Sequence, residues 1–260
     1  MSRALLRGLA VLESLGDEPV GVRELARRLQ LDKGALSRTL AALAVDGWVT
    51  RDVRGYRLGP RARALGASRA HRETADRATE MAALLSGLTR LNAYVQQLAG
   101  SGMLLLAAAT GAHVPGMRGW RQPTEVWATA GGIALLAQLP QAGVDVHVAQ
   151  DPWPCLGPGS PSRPAVLAEI ARSRAGETAI ERRWTSLDTA CLARPWPALD
   201  PDVPTSLAVG GVVDEIERRR PQLDRLLRVA TAAGATRTDL LAAAAEAPAD
   251  PSPAPTRSTA

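Results

Sequence analysis

The sequence predicts an α+β fold in two domains joined by a helix, from three observations. Three apolar stripes at helical spacing fill the first fifty residues and run into a β-prone hairpin. A further helical stripe follows, and from Asn92 onward strand-like and helix-like runs alternate. With 260 residues, 46% of them hydrophobic, the chain is long enough to bury two ordinary cores.

Leu5, Leu9 and Leu12 repeat at i, i+4 and i+7, which predicts a first helix ending near Gly16. After Asp17-Glu18-Pro19 the stripe resumes with Val22, Leu25, Ala26 and Leu29, with Gly21 as N-cap and Glu24 in the first turn. Asp32 is a good N-cap for a third helix, whose Leu36, Leu40 and Leu43 face inward before Asp46-Gly47 stops it. Trp48–Arg51 and Tyr56–Leu58 are β-prone runs around Asp52-Val53-Arg54-Gly55, where Gly55 supplies a positive φ. Residues 1–59 therefore form the first domain. Residues 60–91 read as linker plus connecting helix, opened by Pro60 and continued by Ala75, Ala78, Ala82, Leu85 and Leu88.

In the second domain, residues 92–245, Ala93–Leu98 and Met103–Ala109 read as strands separated by Gly100-Ser101-Gly102. Thr129–Leu139 reads as a buried helix. Asp151–Pro164 contains five prolines and is expected as an exposed loop. Val166–Arg174 reads as a helix, Glu177–Arg182, Cys191–Ala193 and Ser206–Val213 as strands, and Leu223–Ala233 as the closing helix, which gives helices flanking a mixed sheet. Residues 246–260, with four prolines among Ser, Thr and Ala, are expected as a disordered tail.

Charge is distributed unevenly. Residues 1–72 carry 14 Lys and Arg against 7 Asp and Glu, leaving 17 against 19 for the remainder of a chain whose formal charge is +5. A basic segment suits a polyanion, because each phosphate neutralised releases condensed counterions. Two cysteines cannot build a disulfide framework, Met1 leads into amphipathic sequence without a signal-type apolar block, and no apolar run approaches ~20 residues. The expectation is a cytoplasmic protein with no membrane span.

A short helix, a tight turn and a capped second helix push side chains into a major groove. The first turns of the third helix offer Lys33, Gly34, Ala35, Ser37 and Arg38: small residues for close approach, two cations and a hydroxyl for bases or phosphates. The hairpin adds Arg51, Arg54 and Arg57 for phosphates or a minor groove. This is a winged helix-turn-helix, and the partner it suits is double-stranded DNA. The same fold also serves protein contacts.

The order of these landmarks resembles the IclR family of bacterial regulators over roughly residues 3–235. Arg7–Leu12, Glu24-Leu25-Ala26, Leu31-Asp32-Lys33 with Arg38, Trp48-Val49 and Tyr56–Gly59 carry the N-terminal resemblance. Thr129–Ala137 is similar to a glycine-containing helix start, with Ile133 where a lysine is usual, and Cys191–Pro195 and Ser206–Gly211 to two later strands. The resemblance implies a GAF-like α/β effector domain and dimers joined through the DNA-binding and linker helices, often paired into tetramers. No cofactor is expected. The resemblance also implies an effector pocket at Ala130, Gly131, Glu181, Cys191, Ala208 and Gly210. At the last two positions relatives carry hydroxyls that this chain lacks, so a larger, partly apolar ligand is expected.

The expected function is a DNA-binding transcriptional regulator, a repressor, acting as a homodimer or dimer of dimers on a roughly palindromic operator, with affinity set by a small-molecule effector. Two alternatives stay open: a second domain that only oligomerises, and an enzyme with an appended winged helix. For the enzyme, Cys191 with His71, His113 or His147 is the candidate nucleophile and base, but none is close in sequence, and no hydrolase, P-loop or zinc motif is present. Cys191 as a buried structural thiol is the plain reading. Five of six tryptophans, Trp120, Trp127, Trp153, Trp184 and Trp196, fall in the second domain, as core, interface or pocket wall.

Overall fold

The three N-terminal stripes become α1 (Arg3–Glu13), α2 (Val22–Leu29) and α3 (Lys33–Val45) in a computed structural model of the chain. It describes residues 3–16, 18–65, 69–111, 125–157, 159–185 and 187–246, with side chains in the connecting helix from residue 72 onward. Helices this short are marginal alone, so packing holds them. Val11, Leu25, Leu36 and Leu40 are fully buried in one cluster, and each such side chain contributes ~1.5–3 kcal/mol. Strands β1 (Val49–Asp52) and β2 (Gly55–Leu58) form the hairpin, which is tied to the α1–α2 loop by reciprocal backbone bonds between Val20 and Tyr56, at 2.8 and 2.9 Å.

Helix α4 (Pro60–Leu65) and α5 (Arg69–Thr89) occupy the connecting segment. By contact density the chain divides into Met1–Glu73 and Thr74–Ala260. In the second unit, strands β3 (Asn92–Ala99), β4 (Gly102–Ala109), β5 (Ala179–Arg182), β6 (Thr189–Pro195) and β7 (Thr205–Val212) form one sheet in the order β4-β3-β7-β6-β5. Every pairing is antiparallel, which corrects the expected mixed sheet.

Side-chain alternation gives the sheet two faces. Ala93, Val95, Leu192, Leu207 and Val209 turn toward α5, α9 (Val213–Arg218), α10 (Arg220–Thr231) and α11 (Arg237–Ala245). The other face meets α6 (Ala130–Leu136), beyond which α7 (Gln141–His147) and α8 (Arg163–Arg174) complete a second apolar cluster. Glu169 of α8 reaches the edge strand β5, where one carboxylate oxygen accepts the Ile180 N–H at 3.0 Å.

Several expectations change. His147, expected in loop or strand, ends a helix. A further helix, α11, follows α10, started by a capping box in which Thr236 and Asp239 satisfy each other's backbone N–H groups. The proline-rich stretch is not simply exposed. Trp153 stacks on the fully buried Trp127 with ring centroids 4.3 Å apart, and Ser162 and Pro164 start α8. Trp196 is core, and Trp184 packs on the α6–α8 cluster. His113, Trp120 and most of the expected tail, residues 247–260, lie outside the described residues, as does the side chain of His71.

Candidate nucleic-acid interface and effector face

Gln30, in the left-handed region at φ 52, ends α2 and turns the chain toward Asp32, whose Oδ1 accepts the Ala35 N–H at 2.8 Å. That cap fixes the start of α3. Leu36 and Leu40 are buried, so the opposite side of the helix is left to solvent, where Lys33, Gly34 and Arg38 are exposed and Ala35 and Ser37 half-exposed. Arg38 folds back over the first turn: its Nη1 lies 3.7 Å from where a Cβ on Gly34 would stand. On α2, Glu24 holds Arg27 and Arg28 at 2.8 to 2.9 Å, and these two guanidinium groups pull its carboxyl down to about 2.

The hairpin divides its arginines. Arg51 pairs in register with Tyr56 and lies over its ring at 5.6 Å, whereas Arg57 pairs with Thr50 and so belongs to the opposite face. Arg54 sits at the tip, its N–H bonded to Asp52 Oδ1 at 2.7 Å. Sequence reasoning passed over Arg61, whose guanidinium lies over Trp48 at 5.0 Å; its only signal was a basic residue just after the Pro60 helix start.

In the second unit, four strands align one row across the sheet: Glu181, Cys191, Gly210 and Asn92 are successive register partners. The next row on the same face is Ala179, Ala193, Ala208 and Tyr94. Ala130 and Ala134 of α6 pack on this face against Tyr94, Ala193 and Ala208, with Cys191 alongside. All six residues expected at an effector pocket therefore belong to one sheet face and the helix start above it.

The electrostatics of that row follow from burial. Glu181 is pushed up to about 7 by desolvation, against the Trp184 N–H it accepts at 2.8 Å. Burial, then the nearby Glu181 charge, push the Cys191 thiol well above its usual range, the reverse of what a nucleophilic thiolate needs. Tyr94 rises to about 12, mainly by burial.

Two residues at this site were not anticipated. The Tyr94 ring reaches Gly210, where an added Cβ would stand 3.4 Å from Cε2, and the Asn92 side chain hydrogen-bonds the phenol. Gln96, which accepts a bond from Ser206 Oγ at 3.2 Å, presses its Oε1 within 1.7 Å of where a Gly131 Cβ would stand. A separate cleft of about 1060 Å³ lies between α5 and the α10–α11 hairpin, walled by Leu84, Leu88, Ala230 and Leu240, and is largely apolar.

Comparison with known proteins then bears on the first unit. Residues 4–53 match the family model of the IclR helix-turn-helix domain. The N-terminal unit carries an IclR helix-turn-helix. No curated protein sequence matches the chain. Among solved structures, an IclR homolog from Microbacterium hydrocarbonoxydans complexed with 4-hydroxybenzoate is 20% identical, with TM-score 0.68, covering 92% of this chain and 99% of its own. An IclR transcriptional regulator from Alicyclobacillus acidocaldarius is 18% identical, with TM-score 0.64 and coverages of 89% and 97%. The Agobacterium tumefaciens repressor BlcR is 19% identical, with TM-score 0.53 and coverages of 93% and 95%. These likenesses establish that an IclR helix-turn-helix followed by an α/β domain is the shared fold. No described helix is long and apolar enough to cross a membrane.

Proposed function

We propose that this chain is a DNA-binding transcriptional regulator, a repressor, that docks α3 in the major groove and responds to a small molecule bound between α6 and strands β5 to β7. The observation that carries the reading is the capped start of α3 inside an IclR helix-turn-helix, with Lys33 and Arg38 exposed while Leu36 and Leu40 anchor the helix from below. Lys33, Gly34, Ala35, Ser37 and Arg38 meet bases and adjacent phosphates, and Arg51, Arg54 and Arg57 meet the backbone or minor groove. A homodimer is the minimal binding unit, with pairing into tetramers a further step, and the operator is roughly palindromic. The effector residues are Ala130, Gly131, Glu181, Cys191, Ala208 and Gly210, and a cytoplasmic location fits this role.

One observation favours a second reading, in which the α/β domain only oligomerises: Tyr94 already packs on the small residues Ala193, Ala208 and Ala130. An enzymatic reading through Cys191 as nucleophile is disfavoured because burial holds the thiol protonated.

The test begins with selection of bound sequences from random duplex DNA by the purified protein, expected to return a two-fold motif. Lys33→Ala and Arg38→Ala should each weaken binding, by ~1–3 kcal/mol with relaxed preference at one position for a lost base contact. Titration of the complex with glyoxylate, pyruvate and 4-hydroxybenzoate, followed by anisotropy, separates an effector-controlled regulator from an effector-free one. No enriched sequence, or unchanged binding in both variants, overturns the reading.

A further inference from the structure

The face beneath α6 is built from unusually small residues: Ala193, Ala208 and Gly210 below, Ala130, Gly131 and Ala134 above. Interiors are close-packed, so a strip this shallow must be filled from elsewhere. Tyr94 fills it. Its strand position is directly opposite Ala208, it is 8% exposed, and its ring reaches the space above Gly210, where the nearest atoms to an added Cβ are Tyr94 Cε2 at 3.4 Å and Cys191 Sγ at 3.5 Å. The phenol is anchored rather than loose. Asn92, two residues earlier on the same face, bonds the phenol through its side chain, and its Oδ1 accepts the Gly111 N–H at 2.9 Å.

We propose that Tyr94 is the specificity-determining residue of the face beneath α6: its ring occupies the aromatic-sized volume over Ala208 and Gly210 and so excludes aromatic ligands from it. The inference rests on reading this face as the effector site. It reverses the expectation, drawn from the missing hydroxyls at Ala208 and Gly210, that the ligand is large and partly apolar. The residues are small because the chain's own aromatic ring covers them, which leaves no room for a ring from solution. Beside the ring lies the Glu181–Cys191 end of the row, where Cys191 is partly exposed.

The experiment uses the full chain and phenol as the probe, because an apolar cavity left by a truncated core side chain binds a ring of matching size. Calorimetric titration of the wild type, Tyr94→Ala and Tyr94→Phe with phenol, and with 4-hydroxybenzoate, is read together with the melting temperature. Tyr94→Ala is expected to bind phenol at least ten-fold more tightly than the wild type and to gain melting temperature with it, while Tyr94→Phe, which keeps the ring, behaves as wild type. If Tyr94→Ala does not fold, Tyr94→Leu replaces it in the same comparison. Equal phenol or 4-hydroxybenzoate binding by wild type and truncated variants overturns the proposal, as does a folded truncation that binds neither. Phenol binding confined to the truncated variant supports the size limit whatever the operator does, whereas operator affinity of the wild type unmoved by glyoxylate, pyruvate and 4-hydroxybenzoate defeats the effector-controlled reading on its own.

Discussion

Glu181 and Cys191 stand opposite one another in the register of β5 and β6, and the Glu181 charge adds to burial in keeping the thiol protonated. Glu181 itself holds its proton to about pH 7 in the folded chain, against an ordinary value of 4.5. Between those values Glu181 binds more proton in the folded state than in the unfolded state, so its own contribution to stability is fully present below about pH 4.5, falls as pH rises toward 7, and is lost above it. Glu181→Gln keeps an acceptor for the Trp184 N–H and removes the titration. Urea midpoints from pH 4.5 to 8 should show the variant flatter than the wild type, and more stable at pH 8 by on the order of 1–3 kcal/mol. Parallel curves for the two proteins would show that Glu181 is not held neutral.

Much of the first unit was readable because its signals are local. Asp32 announces a cap from its own side chain, and the stripe Leu36, Leu40 needs only a helical period to place the core face. The second unit hid more. An antiparallel sheet differs from a mixed one through pairings between strands distant in sequence, which local alternation does not encode. Helix α7 has too few residues to show a period, and the Ala-rich α11 has no strong stripe, although Thr236-x-x-Asp239 was a usable start signal. The six effector positions were named from resemblance. Tyr94 was not, because its role arises only when β3 is laid beside β7 and its ring falls across Ala208 and Gly210.

The hairpin depends on Gly55. Its φ of 146 is open to few side chains, and an added Cβ would stand 2.5 Å from the Val20 carbonyl oxygen and 2.9 Å from the Gly21 nitrogen. Neither contact is with a movable side-chain tip, so the reciprocal Val20–Tyr56 bonds would have to break. Gly55→Ala should destabilise the N-terminal unit by roughly 2–4 kcal/mol through backbone strain and lost hydrogen bonds. Thermal unfolding monitored at Trp48 would measure it, and a change below about 0.5 kcal/mol, as at an ordinary surface position, would contradict the geometry.

Cap and wing should separate in salt. Asp32→Ala leaves the Ala35 N–H without its acceptor and should cost about 1 kcal/mol of stability, loosening the turn that presents Lys33 and Gly34, with Asp32→Asn close to wild type. Operator affinity should fall with little change in salt slope, since no cation is lost. Arg54→Ala, by contrast, should lower affinity evenly across sequences and make the slope of log K against log salt shallower by about 1. Anisotropy titrations across a salt series decide between these outcomes, and an unchanged slope in Arg54→Ala would remove it from the phosphate contacts.

Gly131 and Gly132 begin α6 side by side, yet they should respond differently to the same substitution. A Cβ at 131 would stand 1.7 Å from Gln96 Oε1, the end of a side chain, while one at 132 would stand 1.5 Å from the Val126 carbonyl oxygen, which is backbone. The first clash has a removable partner. Gly131→Ala should destabilise by displacing a buried carboxamide and its bond from Ser206, and Gln96→Ala should destabilise by leaving a cavity. Combined, the new methyl occupies part of that cavity, so the double variant should be less destabilised than the sum of the singles by about 1–2 kcal/mol. Gly132→Ala should be the more damaging single change, because the Val126 to Ala128 turn must shift, and Gln96→Ala should give it no relief. Chemical denaturation of the six proteins, wild type and both double variants included, completes both cycles. Additive behaviour at 131, or equal relief at both glycines, would show that Gln96 does not set the approach of α6 to the sheet.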